Sequence, residues 1–159
     1  MGKQARAIVD LSLKEIVKDL NKTYCDEWLA FYLYWYMAQT VSGKSYANIK
    51  AALESIAKDE LEHASELAEL ITTLGDVPTA NPMDLEKNAN TSYPFPPKNS
   101  ADVNRIIRVV TEAESEAIEV YHKLAKKTQG KDFHTHQLMV HILSEEIKHE
   151  EMFENLLER

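Results

Sequence analysis

The sequence predicts an all-α fold: a four-helix bundle with one long crossover between the second and third helices. Three observations carry this. Four segments repeat apolar residues at helical spacing. Glycine and proline are scarce, four and five in 159 residues, which disfavours a turn-rich β fold. The connections run short, long, short, the order that a bundle with one crossover requires.

The first helix is expected over 12–41. Its stripe reads Leu13, Ile16, Leu20, Tyr24, Glu27, Phe31, Tyr34 and Ala38. Ser12 with Glu15 three residues on reads as a capping box, and Ser42-Gly43-Lys44 ends the helix. The second helix is expected over 45–74, with Leu53, Ile56, Ala57, Glu60, His63, Ala64, Leu67 and Ile71 on one face. Gly75 and Pro78 stop it. The third is expected over 101–129, capped by Ser100, with Ile107, Val110, Glu114, Ala117, Tyr121 and Leu124 in its stripe. The fourth, after Gly130, is expected over 132–158 through Met139, Leu143, Glu146, His149, Phe153 and Leu156. Each pair is joined by about four residues and must form an antiparallel hairpin. Residues 75–100 are left as the crossover. A helix of ~28 residues is ~42 Å long, and 26 extended residues reach ~85 Å. The crossover can therefore return the chain to its starting end, and the expectation is one domain over 1–159.

Composition narrows the function classes. A net charge of −8 opposes generic nucleic-acid binding, which needs clustered lysine and arginine. A lone cysteine, Cys25, excludes an internal disulfide framework, fits a reducing compartment and reads as a packed thiol. The longest apolar run, Trp28 to Ala38, falls short of the ~18 residues that suggest a membrane span. Met1 to Lys14 contains no apolar signal core, so the expected location is the cytoplasm.

Six residues interrupt the apolar stripes: Glu27, Glu60, His63, Glu114, Glu146 and His149. Each sits where an aliphatic side chain would satisfy the pattern, and glutamate is almost never fully buried unless paired or metal-bound. The spacing repeats. His63 follows Glu60 by three residues, and His149 follows Glu146 by three; Ala30 and Tyr34 follow Glu27 as Ala117 and Tyr121 follow Glu114. The two hairpins read as pseudo-copies whose packing converges four carboxylates and two imidazoles at mid-bundle. Four buried carboxylates without counter-charge would be prohibitive. Two divalent cations balance them, and one Glu from each of two helices plus Glu-x-x-His from each of the others is the di-iron or di-manganese carboxylate arrangement. Oxygen and nitrogen donors without thiolate suit iron or manganese, although Zn²⁺ or Co²⁺ could occupy the same site.

A third Glu-x-x-His, Glu119 with His122, falls on a polar face and reads as surface. Glu62, Glu112, Glu116, Glu145 and Glu150 read as solvated or as supports of the ligands. Tyr121 reads as a core tyrosine bonded to a ligand carboxylate. Tyr34 stays open between that role and electron donation to a metal pair. His134, His136 and His141 could form a metal patch, but read more simply as a solvated cluster. Leu29, Tyr32, Leu33, Tyr36 and Met37 lie off the Glu27 stripe. An all-round apolar helix is buried all round, so a partner subunit is expected over them.

With these residues in view the chain resembles the ferritin-like superfamily over essentially its whole length, with bacterioferritins and Dps-like ferritins nearest. The residues that carry the resemblance are Glu27-Trp-Leu-Ala-Phe-Tyr-Leu-Tyr34, Asp59-Glu-Leu-Glu-His63, Glu114-Ser-Glu-Ala-Ile-Glu-Val-Tyr121 and Ser144-Glu-Glu-Ile-Lys-His149. The resemblance implies two iron ions per subunit on Glu27, Glu60, His63, Glu114, Glu146 and His149, with Glu60 and Glu146 bridging. It implies oxidation of Fe²⁺ by dioxygen or hydrogen peroxide, and ferric mineral held in a hollow homo-oligomeric shell. The alternatives are a rubrerythrin-type di-iron peroxidase and a di-manganese catalase-like enzyme, neither of which stores mineral. Three departures matter. Leu61 stands where bacterioferritins carry a haem-ligating methionine, so haem would need another residue such as Met37. The cysteine pair common in the Dps-like branch is missing from the third and fourth helices. Ten residues follow His149, too few for the fifth helix of 24-subunit ferritins, which favours a 12-subunit shell over a 24-subunit one. Only Lys3 and Arg6 lie near the start, unlike the basic tail of DNA-binding Dps proteins.

Overall fold

The computed structural model describes residues 2–157, and among them every regular element is helical. In chain order these are α1 (Lys3–Ala7), α2 (Leu13–Thr40), α3 (Tyr46–Thr73), a 3-10 turn at Pro82–Asp84, α4 (Leu85–Asn88), α5 (Val103–Thr128) and α6 (Phe133–Leu156). The four long helices fall where the apolar stripes place them. The short ones were not foreseen, because segments of four or five residues carry no readable period.

Helix α2 packs along α3, and α5 along α6. The crossover runs beside α2 in the same direction. Asn21 near the start of α2 donates to the Val77 carbonyl and accepts from Thr79. Asp26 takes Asn90 and Thr91. At the far end the Ser42 N–H donates to the Ser100 carbonyl. The crossover thus carries the chain back up the bundle, so α5 descends beside α2 and the two hairpins stack.

The caps correct the expected boundaries by one or two residues. Ser12 caps α2 as expected, its hydroxyl accepting from the Glu15 N–H. The third long helix begins at Val103 and not at 101, because Asp102 is the cap and accepts from the Arg105 N–H; Ser100 lies in the preceding turn. A carboxylate at this position also favours the positive end of the helix. Asp132 caps α6, accepting from the Thr135 N–H while only 2% exposed. Within the described residues α6 ends at Leu156; the expected end at residue 158 lies outside them. Gly43 takes a φ of +87° in the α2–α3 turn, and a Cβ there would sit 3.2 Å from that of Ala101.

Two apolar cores result, one at each end of the bundle. Leu33, Met37, Leu53, Ile56, Ile107, Val110 and Phe153 build the first. Ile16, Leu20, Leu67, Ile71, Leu124, Met139 and Ile142 build the second. Leu33 and Met37 are therefore bundle core and do not face outward, as their off-stripe positions had suggested. Burying each such side chain contributes about 1.5–3 kcal/mol, and together they hold the polar layer between them. The side chains of α2 that do remain outside are Tyr32, Trp35 and Tyr36, which are 52%, 47% and 39% exposed.

Candidate metal centre

Between the two cores lie Glu27 from α2, Glu60 and His63 from α3, Glu114 from α5, and Glu146 and His149 from α6. All six are buried, none more than 6% exposed. The structure therefore brings every sequence-predicted ligand into one layer. Their donor atoms form two overlapping groups: Glu27, Glu60, His63 and Glu146, and Glu60, Glu114, Glu146 and His149, each group within 4.8 Å of itself. Glu60 and Glu146 belong to both.

Both imidazoles point Nδ1 inward. His63 Nδ1 lies 3.2 Å from Glu60, 3.1 Å from Glu146 and 3.6 Å from Glu27. His149 Nδ1 lies 3.5 Å from Glu60 and 3.6 Å from both Glu114 and Glu146. The outer nitrogens are held from across the bundle. His63 Nε2 donates to Glu145 at 2.8 Å, and His149 Nε2 donates to Asp59 at 3.2 Å. Each acid directly precedes the shared glutamate of its own helix yet serves the histidine of the other. Asp59 heads one of the motifs but was given no role from the sequence, and Glu145 was only one of several solvated or supporting acids. The signal was there as an acid immediately before each Glu-x-x-His.

The tyrosines complete the pseudo-symmetry. Tyr121 donates to Glu27, as its stripe position suggested. Tyr34 is buried, and its phenol is pushed well up by burial and by the charge of Glu114. Burial and the Glu27 charge do the same to Tyr121, so both remain neutral donors at ordinary pH. The other expectations resolve simply. Glu119 and His122 are exposed. His136 bonds the Ala125 carbonyl and His141 faces Glu66 and Glu145, and no group of metal-ligand geometry among the described residues contains the three α6 histidines. Cys25 is buried. Met37 is 1% exposed within the apolar core, which removes it as a surface ligand for haem.

The carboxylates and imidazoles of this layer shift one another's protonation. Burial raises the Glu27 carboxyl well above the usual range, and Glu60 adds to the rise. Glu114 is pushed up to about 8 by burial and by the charge of Glu146. Burial and Glu114 push Glu60 upward, but hydrogen bonds to His149 and His63 outweigh them and leave it lowered. Burial alone would depress both histidines; the surrounding carboxylates override it and hold both protonated well above their ordinary range. Protons held on Glu27, Glu114 and the two histidines thus reduce the net negative charge of the layer.

The residues present fit a pair of divalent cations. Both Glu114 oxygens are buried with no hydrogen-bond partner, a cost that a bound cation would offset. Carboxylate and imidazole donors without thiolate match iron or manganese.

Comparison with known proteins agrees with this geometry. A family model described as "Ferritin-like domain" matches residues 17–159. The chain belongs to the ferritin-like domain family. Among ferritin-like relatives, it is 28% identical to the DNA protection during starvation protein of Pyrococcus furiosus, over 92% of this chain and 79% of that one. It is 29% identical to the bacterioferritin of Desulfovibrio desulfuricans, over 89% and 74% of the two chains. A solved structure of the bacterioferritin-related protein from Bacteroides fragilis, described as a dodecameric thioferritin, superposes with a TM-score of 0.92 at 31% identity. That match covers 97% of this chain and 92% of that one. This company supports a function of the iron-storage or iron-oxidising kind, and no helix among the described residues is long and apolar enough to cross a membrane.

Proposed function

We propose that this chain oxidises ferrous iron at the mid-bundle centre and holds the ferric product in a shell built from copies of itself. The observation that carries the reading is the pair of four-residue groups that share Glu60 and Glu146. Two such groups suit two Fe²⁺ substrates held side by side, each with one private glutamate and one histidine. Glu27 and His63 serve one ion; Glu114 and His149 serve the other. With hydrogen peroxide the reaction balances as two Fe²⁺, one H₂O₂ and two protons giving two Fe³⁺ and two waters. With dioxygen as oxidant, the same two electrons and two protons give peroxide.

The residues around the ligands have definite work. Glu145 and Asp59 keep the Nε2 protons of His63 and His149 outward, so Nδ1 faces the ions. Tyr121 fixes the Glu27 carboxylate, and Tyr34, buried beside Glu114, lines the same cavity as the four glutamates. The private ligands Glu27 and Glu114 give up protons as cations arrive, because positive charge replaces the need for them. The dodecameric assembly of the B. fragilis neighbour and the exposed aromatic face of α2 support a homo-oligomeric shell, with twelve copies as the proposed number.

The test is to add Fe²⁺ anaerobically and then peroxide or dioxygen, following ferric absorbance and iron retained per chain. Two ions per chain before oxidant, rapid oxidation after it and retention of many more than two on repeated additions support the proposal. Retention of only two would assign a fixed di-iron cofactor of the peroxidase kind. Oxidation no faster with wild type than with Glu60→Ala would refute both.

A further inference from the structure

The net charge of −8 hides an uneven distribution. A groove of about 660 Å³ runs along the first turns of α2, with the crossover as its other wall. Lys14, Lys18 and Lys22 line it from α2, and Lys87 lines it from the crossover. The one acid on the lining is Asp76, whose Oδ1 accepts the Val77 N–H at 2.8 Å. Three positive charges therefore stand in excess. Glu15 and Asp19 belong to the same stretch of α2 but do not line the groove, and Asp19 is engaged by Lys127 at 2.7 Å. Among the described residues none of the four groove lysines is in an ion pair.

This arrangement works against the helix that carries it. Lysines four residues apart share one face, and like charges at that spacing destabilise a helix. Nothing in the chain offsets the repulsion. The walls are also fixed. Asn21 donates to the Val77 carbonyl at 3.1 Å and accepts from the Thr79 N–H at 2.8 Å, and Asn88 donates to the Thr79 hydroxyl at 3.4 Å. Unpaired ammonium groups thus meet from two tethered walls around a space of small-ligand size. An ammonium is a compact point charge suited to phosphate oxygens. Successive lysines of the row stand ~6 Å apart along the helix axis, so the row spans ~12 Å. A single phosphate cannot meet the whole row; a chain of linked phosphates can. The acidic remainder of the molecule repels a long polyanion, but a small ligand inside the groove is screened from charges beyond ~10 Å.

We propose that this groove binds a small oligophosphate, a ligand whose linked phosphate groups lie along Lys14, Lys18 and Lys22 and are closed over by Lys87. The site shares no residue with the mid-bundle centre and does not depend on it.

Tripolyphosphate is the probe, titrated calorimetrically into the full-length protein in metal-free buffer, beside orthophosphate and a short DNA duplex. Tripolyphosphate should bind once per chain, about tenfold or more tighter than orthophosphate, and more weakly as salt rises. K14E/K18E, which changes two exposed side chains of one wall, and K87E, on the other wall, should each weaken it by about tenfold or more. K44E/K98E makes the same charge change as the first variant at the opposite end of the bundle and should leave binding unchanged. Equal loss in K44E/K98E would reduce the effect to overall charge and overturn the site. So would the absence of tripolyphosphate binding by wild type, or orthophosphate binding as tightly. Duplex binding that K14E/K18E abolishes, with no tripolyphosphate binding, would replace the proposal with a nucleic-acid surface.

Discussion

Glu145 and Asp59 each act on a histidine more than eighty residues away in sequence, which is why spacing alone did not assign them. Spacing singled out the six buried polar residues because each broke an apolar stripe; these two acids break none, being 35% and 41% exposed at the side chain. Their role makes a prediction. Removing either should leave the fold intact and weaken metal binding by about 10- to 100-fold. Calorimetric titration of Co²⁺ into Glu145→Ala and Asp59→Ala checks it, and unchanged affinity in both would make them surface residues after all. The proposed ligands themselves predict a pH effect in the metal-free protein. Glu27, Glu114, His63 and His149 all have raised values in the folded chain. A raised group contributes stability that is complete below its unfolded value and is lost as pH climbs through the folded one. For Glu114 that window runs from the ordinary carboxyl value of 4.5 to about 8. The Tm of metal-free protein should therefore fall between pH 5 and 8, whereas metal-loaded protein, with cations in place of protons, should hold or gain Tm over the same range. Thermal scans of both forms across that range decide the point, and a rise in the metal-free form would contradict the assigned protons.

At the scale of elements, the four long helices were legible because each pairs a continuous stripe with a stop signal, and the crossover because nothing periodic fills 75–100. What was not legible was which of two neighbouring candidates caps a helix. Ser100 and Asp102 both qualify chemically; the turn that brings Ser100 to Ser42 leaves the cap to Asp102. Nor could the stripe rank Leu33 and Met37, which lie off the Glu27 line but face the bundle because 28 residues of α2 contact α3, α5 and the crossover on different sides. One junction carries backbone strain. Ser45, at the start of α3, has a φ of +69° and no side-chain cap bond. A non-glycine residue in the left-handed region costs roughly 1–2 kcal/mol, and glycine loses part of that relief to its freer unfolded chain. Ser45→Gly should raise the Tm of the metal-free protein slightly, by an amount equivalent to less than about 1 kcal/mol. Asp132→Ala, which removes a buried cap of α6, should lower stability by about 1–2 kcal/mol. Differential scanning calorimetry separates the two signs.

The whole molecule presents one face that a solitary bundle does not account for. Tyr32, Trp35 and Tyr36 project from α2 beside Tyr93 and Phe95 of the crossover, with ring centroids 5.3–6.4 Å apart along the chain of neighbours. Phe95 is 77% exposed. Contiguous exposed aromatics of this kind mark association surfaces, and aromatic residues dominate the centres of such interfaces. The bundle does not need them: its two cores and the buried polar layer lie on the inner side of α2. Charge placed here should therefore break assembly and spare the centre. Native mass spectrometry of wild type should give one high-mass species, which the proposed shell makes twelve copies. W35E, and more strongly the double variant Y32E/W35E, should shift the mass to single chains or small sets, while each chain still binds two Co²⁺. If both variants keep the wild-type particle mass, copies meet through another face and the aromatic strip needs a different partner. If the small species also lose Co²⁺, the centre depends on assembly, although all six proposed ligands come from one chain.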